Sequence, residues 1–259
     1  MSNPLFFETR GQGPNLVLLH GWGLNSGVWE PISHILEQSF RITLLDLPGF
    51  GRNADVLPAH YDLDSISSMV ADCIPDKSSF LGWSLGGLVA QQLAISHPDK
   101  VESLVLVASS PKFSESEDWP GIKANVLQVF TQQLEKDFSK TLDRFMAIQA
   151  IGSESAKQDI KLIKSHIQHY PIPDDIALRA GLNILANADL RSQLSAINCP
   201  TFRLYGRLDS LVPAKVIPLI ESIQPSNLSH VFAHASHAPF ISHPEEFMQI
   251  LYKCLNITP

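Results

Sequence analysis

The sequence predicts an α/β protein whose mostly parallel sheet carries helices on both faces and is interrupted by one all-helical insertion. Two observations predict the sheet: short apolar or β-branched runs end in turn residues, and helix-like segments separate these runs. A third predicts the insertion, because the alternation lapses between about residues 111 and 187. The chain of 259 residues, 44% of them hydrophobic, is long enough to bury one large core.

Six runs are predicted to be strands. Most are short, apolar and closed by turn residues, which is typical of strands buried on both faces of a sheet, and the last is weaker. In chain order they cover residues 15–21, 41–49, 78–82, 102–111, 199–206 and 228–235.

Two helices are predicted most clearly. The first covers residues 85–96, ends before Pro98 and carries an apolar stripe on one face, with the polar Gln91 and Gln92 on another. The second opens the C-terminal segment, with Pro244 at a first-turn position.

The predicted insertion interrupts one domain, because the sheet pattern resumes at Pro200. Prolines bracket several helical segments within it, and it contains no convincing strand. We therefore expect residues 1–110 and 188–259 to form the core and residues 111–187 to form a helical lid.

Composition excludes several classes of protein. The formal net charge is -7 and neither end carries a basic run, which argues against a nucleic-acid partner. Cys73, Cys199 and Cys254 are too scattered for a zinc knuckle or a disulfide framework. The N-terminal sequence does not read as a secretory signal, and no apolar run approaches the ~20 residues that cross a bilayer. We expect a cytoplasmic protein without a membrane partner, and a monomer, since nothing signals an obligate dimer.

A serine surrounded by glycines lies where a strand is predicted to pass into a helix. Gly82, Ser84 and Gly86 form Gly-x-Ser-x-Gly, and Gly87 follows. A short motif of this kind is weak alone, but an apolar run before it and an amphipathic helix after it are what a nucleophile elbow requires. Side chains two residues either side of the serine would collide with the strand and helix, so the pattern predicts Ser84 as an exposed nucleophile. A Gly-rich helix cap with an incidental serine is the alternative.

A serine hydroxyl needs a base, and the C-terminal part of the chain offers three candidate histidines. His234 falls near the end of a predicted strand, and His243 precedes a proline as a helix cap would. His237 lies in the loop between them, where the chain order Ser, Asp, His places the base. We therefore predict that His237 is the base.

The base needs a carboxylate that fixes the imidazole tautomer and stabilises the imidazolium. Asp209 follows a predicted strand and so reaches the same edge of the sheet. Asp46 also ends a strand, but it precedes the serine and is explained by a turn, whereas Asp189 has no strand before it. Asp209 is the predicted third member.

Two backbone N–H groups are predicted to bind the oxyanion of a tetrahedral intermediate. The residue after the nucleophile, Leu85, supplies one. Trp22, between Gly21 and Gly23 in the loop after an early strand, supplies the other. A plain strand-to-helix turn is the alternative for this loop.

The strings "HGWG", "DLPGFG", "GWSLGG", "YGRLDSLVP" and "HAPFISHP" occur in the order expected of the α/β-hydrolase superfamily, which the sequence resembles over its whole length. Within it, "VASSPKFS", "DWPGIK" and "HAPFISHPEEF" are similar to the pimeloyl-carrier-protein methyl ester carboxylesterases of biotin synthesis. The resemblance implies an α/β-hydrolase fold, methanol release from a carrier-bound ester, and no metal or organic cofactor. It also implies a segment that lines the acyl pocket: Phe145, Met146, Ala147, Ile148 and Gln149. Core packing within the lid is the alternative for Phe145 and Ile148, which fall at helical spacing.

The lid sequence carries basic residues at helical spacing. One set recurs at residues 136, 140 and 144, and another at 157, 161 and 164, so each can form a stripe on one helix face. Acyl-carrier proteins are acidic, and the resemblance implies that the stripes dock one; a mixed, solvated surface is the alternative, because acidic residues nearly balance them. At several of these positions lysine stands where the family tends to present arginine. Lysine keeps the positive charge but cannot form the bidentate hydrogen bonds of a guanidinium group. The predicted docking residues are Lys140, Arg144, Lys157 and Lys161.

The same triad serves other reactions on this fold. A short-chain esterase, a carbon–carbon bond hydrolase and a cofactor-free perhydrolase are enzymatic alternatives to the carboxylesterase. A non-catalytic binding protein built on the fold is an alternative from a different class, although a complete triad argues against it.

Overall fold

The computed structural model describes residues 5–74, 76–149 and 156–257. A seven-stranded sheet in the order β1-β3-β2-β4-β5-β6-β7 forms its centre. Strand β1 is antiparallel to β3, and every other neighbouring pair is parallel. The strands are β1 (Phe7–Arg10), β2 (Asn15–Leu19), β3 (Arg41–Leu45), β4 (Ser78–Trp83), β5 (Val101–Val107), β6 (Thr201–Gly206) and β7 (Leu228–Phe232).

All six predicted strands are present, and most end earlier than predicted. The apolar runs after β2 and β3 continue into buried loops, so hydrophobicity overstates the length of those strands. Sequence reasoning missed β1, because its four residues alternate between exposed and half-buried positions at the sheet edge and give no apolar run.

Ten α-helices lie in the described ranges. They are α1 (Glu30–Leu36), α2 (Leu63–Cys73), α3 (Leu85–Ser96), α4 (Ala124–Leu134), α5 (Phe138–Gln149), α6 (Ala156–Ile167), α7 (Asp175–Asn187), α8 (Ile217–Ile223), α9 (Pro239–Ser242) and α10 (Pro244–Cys254). None of them is long and apolar enough to cross a membrane.

Both faces of the sheet are covered, as a parallel sheet requires. Alternate residues of β2 show this: Val17 and Leu19 belong to one hydrophobic cluster with α2, α3 and α8, whereas Leu16 and Leu18 belong to a second with α1, α9 and α10. The strands therefore end together at one edge between two helical layers, and loops there can carry a site.

The predicted polar face of α3 is wrong. Gln91 and Gln92 are buried with the rest of the helix, because α3 lies between the sheet and neighbouring elements. The side-chain oxygen Oε1 of Gln91 accepts a hydrogen bond from the guanidinium of the buried Arg203 at 3.1 Å. The side-chain amide of Gln92 donates to the carboxylate of Asp64. In the sequence alone, glutamines that are buried with hydrogen-bond partners cannot be distinguished from glutamines on a solvent-exposed helix face.

Helices α4 to α7 occupy the segment predicted to be all-helical, and we call them the lid. Between residues 111 and 149 and between 156 and 187 there is no strand, only isolated bridges such as Ser114 with Ile122. Lid side chains such as Phe130 and Phe145 join the cluster that contains Trp22, so the lid packs against the loop after β2. The exact division between core and lid remains a prediction.

Candidate active site

Ser84 lies on a sharp turn between β4 and α3. Its φ of 55° and ψ of -118° form an unfavourable backbone conformation for a residue with a side chain, of a kind that costs on the order of 1–3 kcal/mol. A Cβ on Gly82 would lie 2.6 Å from the Gly86 carbonyl oxygen, and one on Gly86 would lie 2.6 Å from the carbonyl oxygen of His20. A side chain at either position would therefore clash with the backbone, which explains the two glycines. The turn holds Ser84 at the carboxyl edge of the sheet.

Asp209 and His237 meet at that same edge. The Nδ1 atom of His237 lies 2.8 Å from Oδ2 of Asp209, and their exposed fractions are 0% and 5%. The other carboxylate oxygen accepts the backbone N–H groups of Leu211 at 2.8 Å and Val212 at 3.0 Å. A carboxylate only accepts, so Nδ1 carries the proton and leaves Nε2 as an acceptor.

The backbone of His237 is fixed from two sides. Its carbonyl oxygen accepts the indole N–H of Trp83 at 2.8 Å, and its N–H donates to the Gln149 carbonyl oxygen at 3.1 Å. Trp83 directly precedes Ser84, so the strand that presents the serine also holds the histidine loop. Gln149 ends α5, which ties the lid to the same loop.

The Nε2 atom of His237 is buried, and it has no hydrogen-bond partner among the described residues. Its ring centroid lies 5.7 Å from that of Trp83, the neighbour of Ser84. The imidazole therefore lies near the end of β4 that carries Ser84, and its Nε2 is not hydrogen-bonded to the Ser84 hydroxyl. Such bonds are often long in enzymes without substrate and tighten when substrate binds.

The loop after β2 lies against the serine. A Cβ on Gly21 would be 3.3 Å from the Cβ of Ser84, so the next peptide, between Gly21 and Trp22, begins beside that serine. The N–H groups of Trp22 and Leu85 do not take part in the loop, turn and cap hydrogen bonds of the described residues. Buried amides without a partner are rare, and two beside a serine can bind an oxyanion.

The side chain of Trp22 faces the lid. Its indole N–H donates to the Leu178 carbonyl oxygen of α7 at 2.9 Å, and its ring meets Phe145 edge to face at 4.8 Å. Phe145 meets Phe130 of α4 in the same manner at 5.5 Å. This aromatic series joins the candidate oxyanion loop to two lid helices.

The five predicted pocket residues do not all face one way, because successive residues of a helix are about 100° apart. Phe145, Met146 and Gln149 are buried, Ala147 is exposed and Ile148 is half-buried. Ala147 and Ile148 line an apolar groove of about 390 Å³ between α4 and α5, with Arg144 also on it. The assignment of all five residues to an acyl pocket remains a prediction.

The predicted docking residues differ in their surroundings. The Lys140 side chain is 79% exposed and forms an ion pair with Asp137 at 2.8 Å. Arg144, Lys157 and Lys161 are exposed and form no ion pair with any described residue, and we call these three the lid cations. Lys164, the last residue of the second predicted stripe, pairs with an aspartate of α5 and holds α5 and α6 together.

The rejected candidates have other partners. Asp46 accepts the backbone N–H groups of Ser26 and Arg52 and so shapes a turn, and Asp189 pairs with Arg191. His234 is exposed, and His243 lies 2.8 Å from the hydroxyl of Ser242. No cluster of three His, Cys, Asp or Glu side chains that could hold a metal occurs in residues 5–74, 76–149 and 156–257.

Sequence reasoning missed the groups that orient the site from behind. The indole of Trp83, the carbonyl of Gln149 and the imidazole of His20 each hold a loop of the site through a backbone group. His20 and Trp83 belong to the quoted motifs, but a motif does not say where their ring nitrogens point.

Comparison with known proteins shows which family the chain resembles. A profile of the α/β-hydrolase fold family matches residues 14–244. A pimeloyl-acyl-carrier-protein methyl ester esterase from Pseudoalteromonas atlantica is 52% identical over 249 residues, which cover 96% of this chain and 96% of that protein. Another, from Citrobacter koseri, is 50% identical and covers 96% of this chain and 97% of its own.

A solved structure shows the same fold at low sequence identity. An esterase from Exiguobacterium antarcticum superposes with a TM-score of 0.84 at 22% identity, over 97% of this chain and 95% of the other. The chain belongs to the α/β-hydrolase family, and it shares half of its residues with two methyl ester esterases over nearly its whole length.

Proposed function

We propose that this protein is a serine carboxylesterase that hydrolyses the methyl ester of pimeloyl-acyl-carrier protein in biotin biosynthesis. It releases methanol and leaves the acyl chain on its carrier. The observation that carries the proposal is the buried Asp209–His237 hydrogen bond beside a strained serine elbow. The substrate follows from the two relatives, which share half of their residues with this chain.

The first half of the reaction acylates the serine. Ser84 Oγ attacks the ester carbonyl carbon while His237 Nε2 takes the hydroxyl proton, and Asp209 stabilises the imidazolium that forms. The N–H groups of Trp22 and Leu85 bind the oxyanion, and each such donor is worth about 10² to 10³ in rate. The carbon–oxygen bond to the methoxy group breaks, and His237 returns its proton to the departing methanol.

The second half frees the acid. Water attacks the acyl-enzyme carbonyl, His237 accepts one of its protons, and the same two N–H groups bind the second oxyanion. Collapse breaks the bond to Ser84 Oγ, which regains a proton from His237. The enzyme returns to its starting state, and the product is a free carboxylate on the carrier-bound chain.

Recognition of the carrier is assigned to the lid. The whole chain has a net charge of -7, yet the lid cations are exposed and unpaired among the described residues. Local positive charge on a negative protein steers an acidic partner to that surface and raises the association rate. Lys164 forms an ion pair with Asp143, so the stripe of α6 that contains Lys157 and Lys161 lies beside α5, the helix that carries Arg144.

The test is hydrolysis of pimeloyl-acyl-carrier-protein methyl ester by the purified protein, measured as methanol release. We expect a higher kcat/KM for the carrier-bound ester than for free dimethyl pimelate, and a steep fall with salt for the carrier-bound ester only. Ser84→Ala is the control. Equal kcat/KM for both esters at all salt concentrations would contradict the proposal that the carrier protein is recognised. A higher kcat/KM for a diketone, or for peroxide with acetate, would contradict the proposal of ester hydrolysis.

We further propose that the enzyme works as a monomer in the cytoplasm. All residues assigned to the reaction come from one chain, so no partner copy is needed to complete the site. Light scattering at working concentration should give a mass near 28.6 kDa. A mass twice as large would overturn this part without affecting the chemistry.

A further inference from the structure

His20 follows β2 and is fully buried, with both ring nitrogens engaged. Its Nε2 lies 3.0 Å from the backbone nitrogen of Leu47, and its Nδ1 lies 2.8 Å from the carbonyl oxygen of Gly21. A backbone N–H can only donate, so Nε2 is the acceptor. Nδ1 therefore carries the ring proton and donates it to the Gly21 oxygen.

The Gly21 carbonyl belongs to the same peptide unit as the Trp22 N–H. A trans peptide is planar, and its C=O and N–H point in opposite directions. Whatever fixes the direction of the Gly21 oxygen therefore fixes the direction of the Trp22 N–H. Gly21 has no Cβ, so its own backbone restricts this rotation little.

The peptide lies where its orientation affects the reaction. A Cβ on Gly21 would be 3.3 Å from the Cβ of Ser84 and 3.2 Å from the ring of Trp83. The Gly21 oxygen also accepts from Leu24 N–H, but at 3.4 Å, so the imidazole at 2.8 Å is the closer donor. A tilt of this peptide would turn the Trp22 N–H away from the oxyanion.

We propose that His20 is a positioning residue for the proposed hydrolysis: its neutral imidazole holds the Gly21–Trp22 peptide so that the Trp22 N–H faces the oxyanion. The inference rests on the proposed function. Burial lowers the pKa of His20 and so keeps the ring neutral. The Asp46 carboxylate and the hydrogen bond to Gly21 raise this pKa, but their effects are smaller. A second ring proton would also meet the Leu47 N–H head-on.

Two substitutions separate the two hydrogen bonds. Asn carries its amide nitrogen near the place of Nδ1, so His20→Asn can keep the bond to the Gly21 oxygen and loses the one to Leu47. Gln reaches the place of Nε2, so His20→Gln can keep the bond to Leu47 and loses the one to Gly21. Each variant has one of the two bonds and a neutral side chain.

We expect kcat on dimethyl pimelate to fall about 10- to 100-fold for His20→Gln, less than deletion of a whole oxyanion donor, with KM little changed. For His20→Asn we expect kcat within a few-fold of wild type. Affinity for a trifluoromethyl ketone, whose serine adduct carries an oxyanion, should fall in parallel with kcat. Equal kcat for the two variants, or kcat losses that follow their losses in thermal stability, would overturn the proposal.

A measurement on the wild-type protein covers the case in which a variant does not fold. An oxyanion bound to the Trp22 N–H polarises the peptide and strengthens the bond from His20 to its oxygen. Titration with the trifluoromethyl ketone should therefore move the proton resonances of Trp22 N–H and His20 Nδ1–H downfield together. A shift of the Trp22 resonance alone would overturn the role of His20, while ester hydrolysis by the same sample would show that the proposed function still stands.

Discussion

The carboxyl edge of the sheet and the lid are built on opposite principles. At the sheet edge, Asp209 and His237 are buried, and three hydrogen bonds hold the carboxylate. On the lid, the Lys140 side chain is 79% exposed, and the lid cations have no described ion-pair partner. The difference teaches that the proposed chemistry would depend on fixed positions, whereas the proposed recognition of an acidic carrier would depend on summed charge.

Three of the contacts between the two regions involve residues of the candidate site. The indole N–H of Trp22 bonds to α7, Phe145 packs on the ring of Trp22, and Gln149 accepts from the backbone of His237. These contacts let the lid influence the site without supplying reacting atoms. The following changes are ordered by expected effect and test that separation.

The largest effect is expected at the nucleophile. Ser84→Ala should lower kcat/KM by on the order of 10⁵, because the attacking atom is lost while the oxyanion donors remain. Stability should hardly change, since Ala keeps the Cβ and the same strained backbone. Ester hydrolysis and thermal unfolding of the same sample measure both.

Ser84→Gly is the matched variant for the strain. Glycine tolerates the φ of 55° and ψ of -118° far better than alanine does, so this variant should be more stable than Ser84→Ala by about 1 kcal/mol and equally inactive. Lower stability of the glycine variant would mean that the turn is not strained.

The next effect is expected at the carboxylate. Asp209→Asn should lower kcat by about 10⁴, because an amide N–H facing Nδ1 would favour the other imidazole tautomer, in which Nε2 carries the proton. Asp189→Asn is the control, since that carboxylate pairs with Arg191 outside the site. Similar losses of kcat in both variants would mean that the loss in Asp209→Asn reflects lower protein stability and not a role of this carboxylate in the reaction.

A smaller effect is expected where the two regions meet. Phe145→Ala removes a buried ring between Trp22 and Phe130, which costs about 3 kcal/mol of stability and loosens the lid. We expect KM for the ester to rise about tenfold and kcat to change less, as measured by steady-state kinetics. Phe145→Leu should lie between this variant and wild type. A loss confined to kcat would instead connect the lid to the chemical step.

The smallest effect is expected on the lid surface. Arg144→Glu combined with Lys157→Glu and Lys161→Glu should raise KM for the carrier-bound ester about fivefold at low salt and leave hydrolysis of dimethyl pimelate unaffected. Lys140→Ala should change little, because exposed ion pairs contribute at most about 1 kcal/mol. Lys253→Glu, on α10, is the net-charge control for the single reversal Lys157→Glu, because each lowers the net charge by two. Equal effects of the lid and α10 reversals would remove the docking surface.

Sequence reasoning predicted the sheet edge better than the lid. Buried parallel strands are apolar runs, and a serine elbow needs glycines for steric reasons, so both are visible in the residues themselves. The edge strand β1 has no apolar run, and α3 has polar residues that the fold buries against Arg203 and Asp64. Contacts with residues distant in the sequence determine both the pairing of β1 and the burial of the polar residues of α3, and local sequence patterns do not show such contacts.

The lid residues show a different limit. Spacing placed basic residues on helix faces, but it did not say that Lys164 would pair with Asp143 while Arg144 stays unpaired among the described residues. The family resemblance assigned five successive residues to one pocket, and helix geometry divides them between the interior and an outer groove. The contribution of His20 depends on a peptide orientation, which no motif contains.

The most direct test of the account is covalent labelling of the intact protein with a fluorophosphonate, followed by peptide mass spectrometry. We expect one adduct per chain on Ser84, none in Ser84→Ala, and a rate that falls by several orders of magnitude in His237→Ala. An adduct on a different residue, or an unchanged rate without His237, would contradict the proposal that this histidine activates this serine.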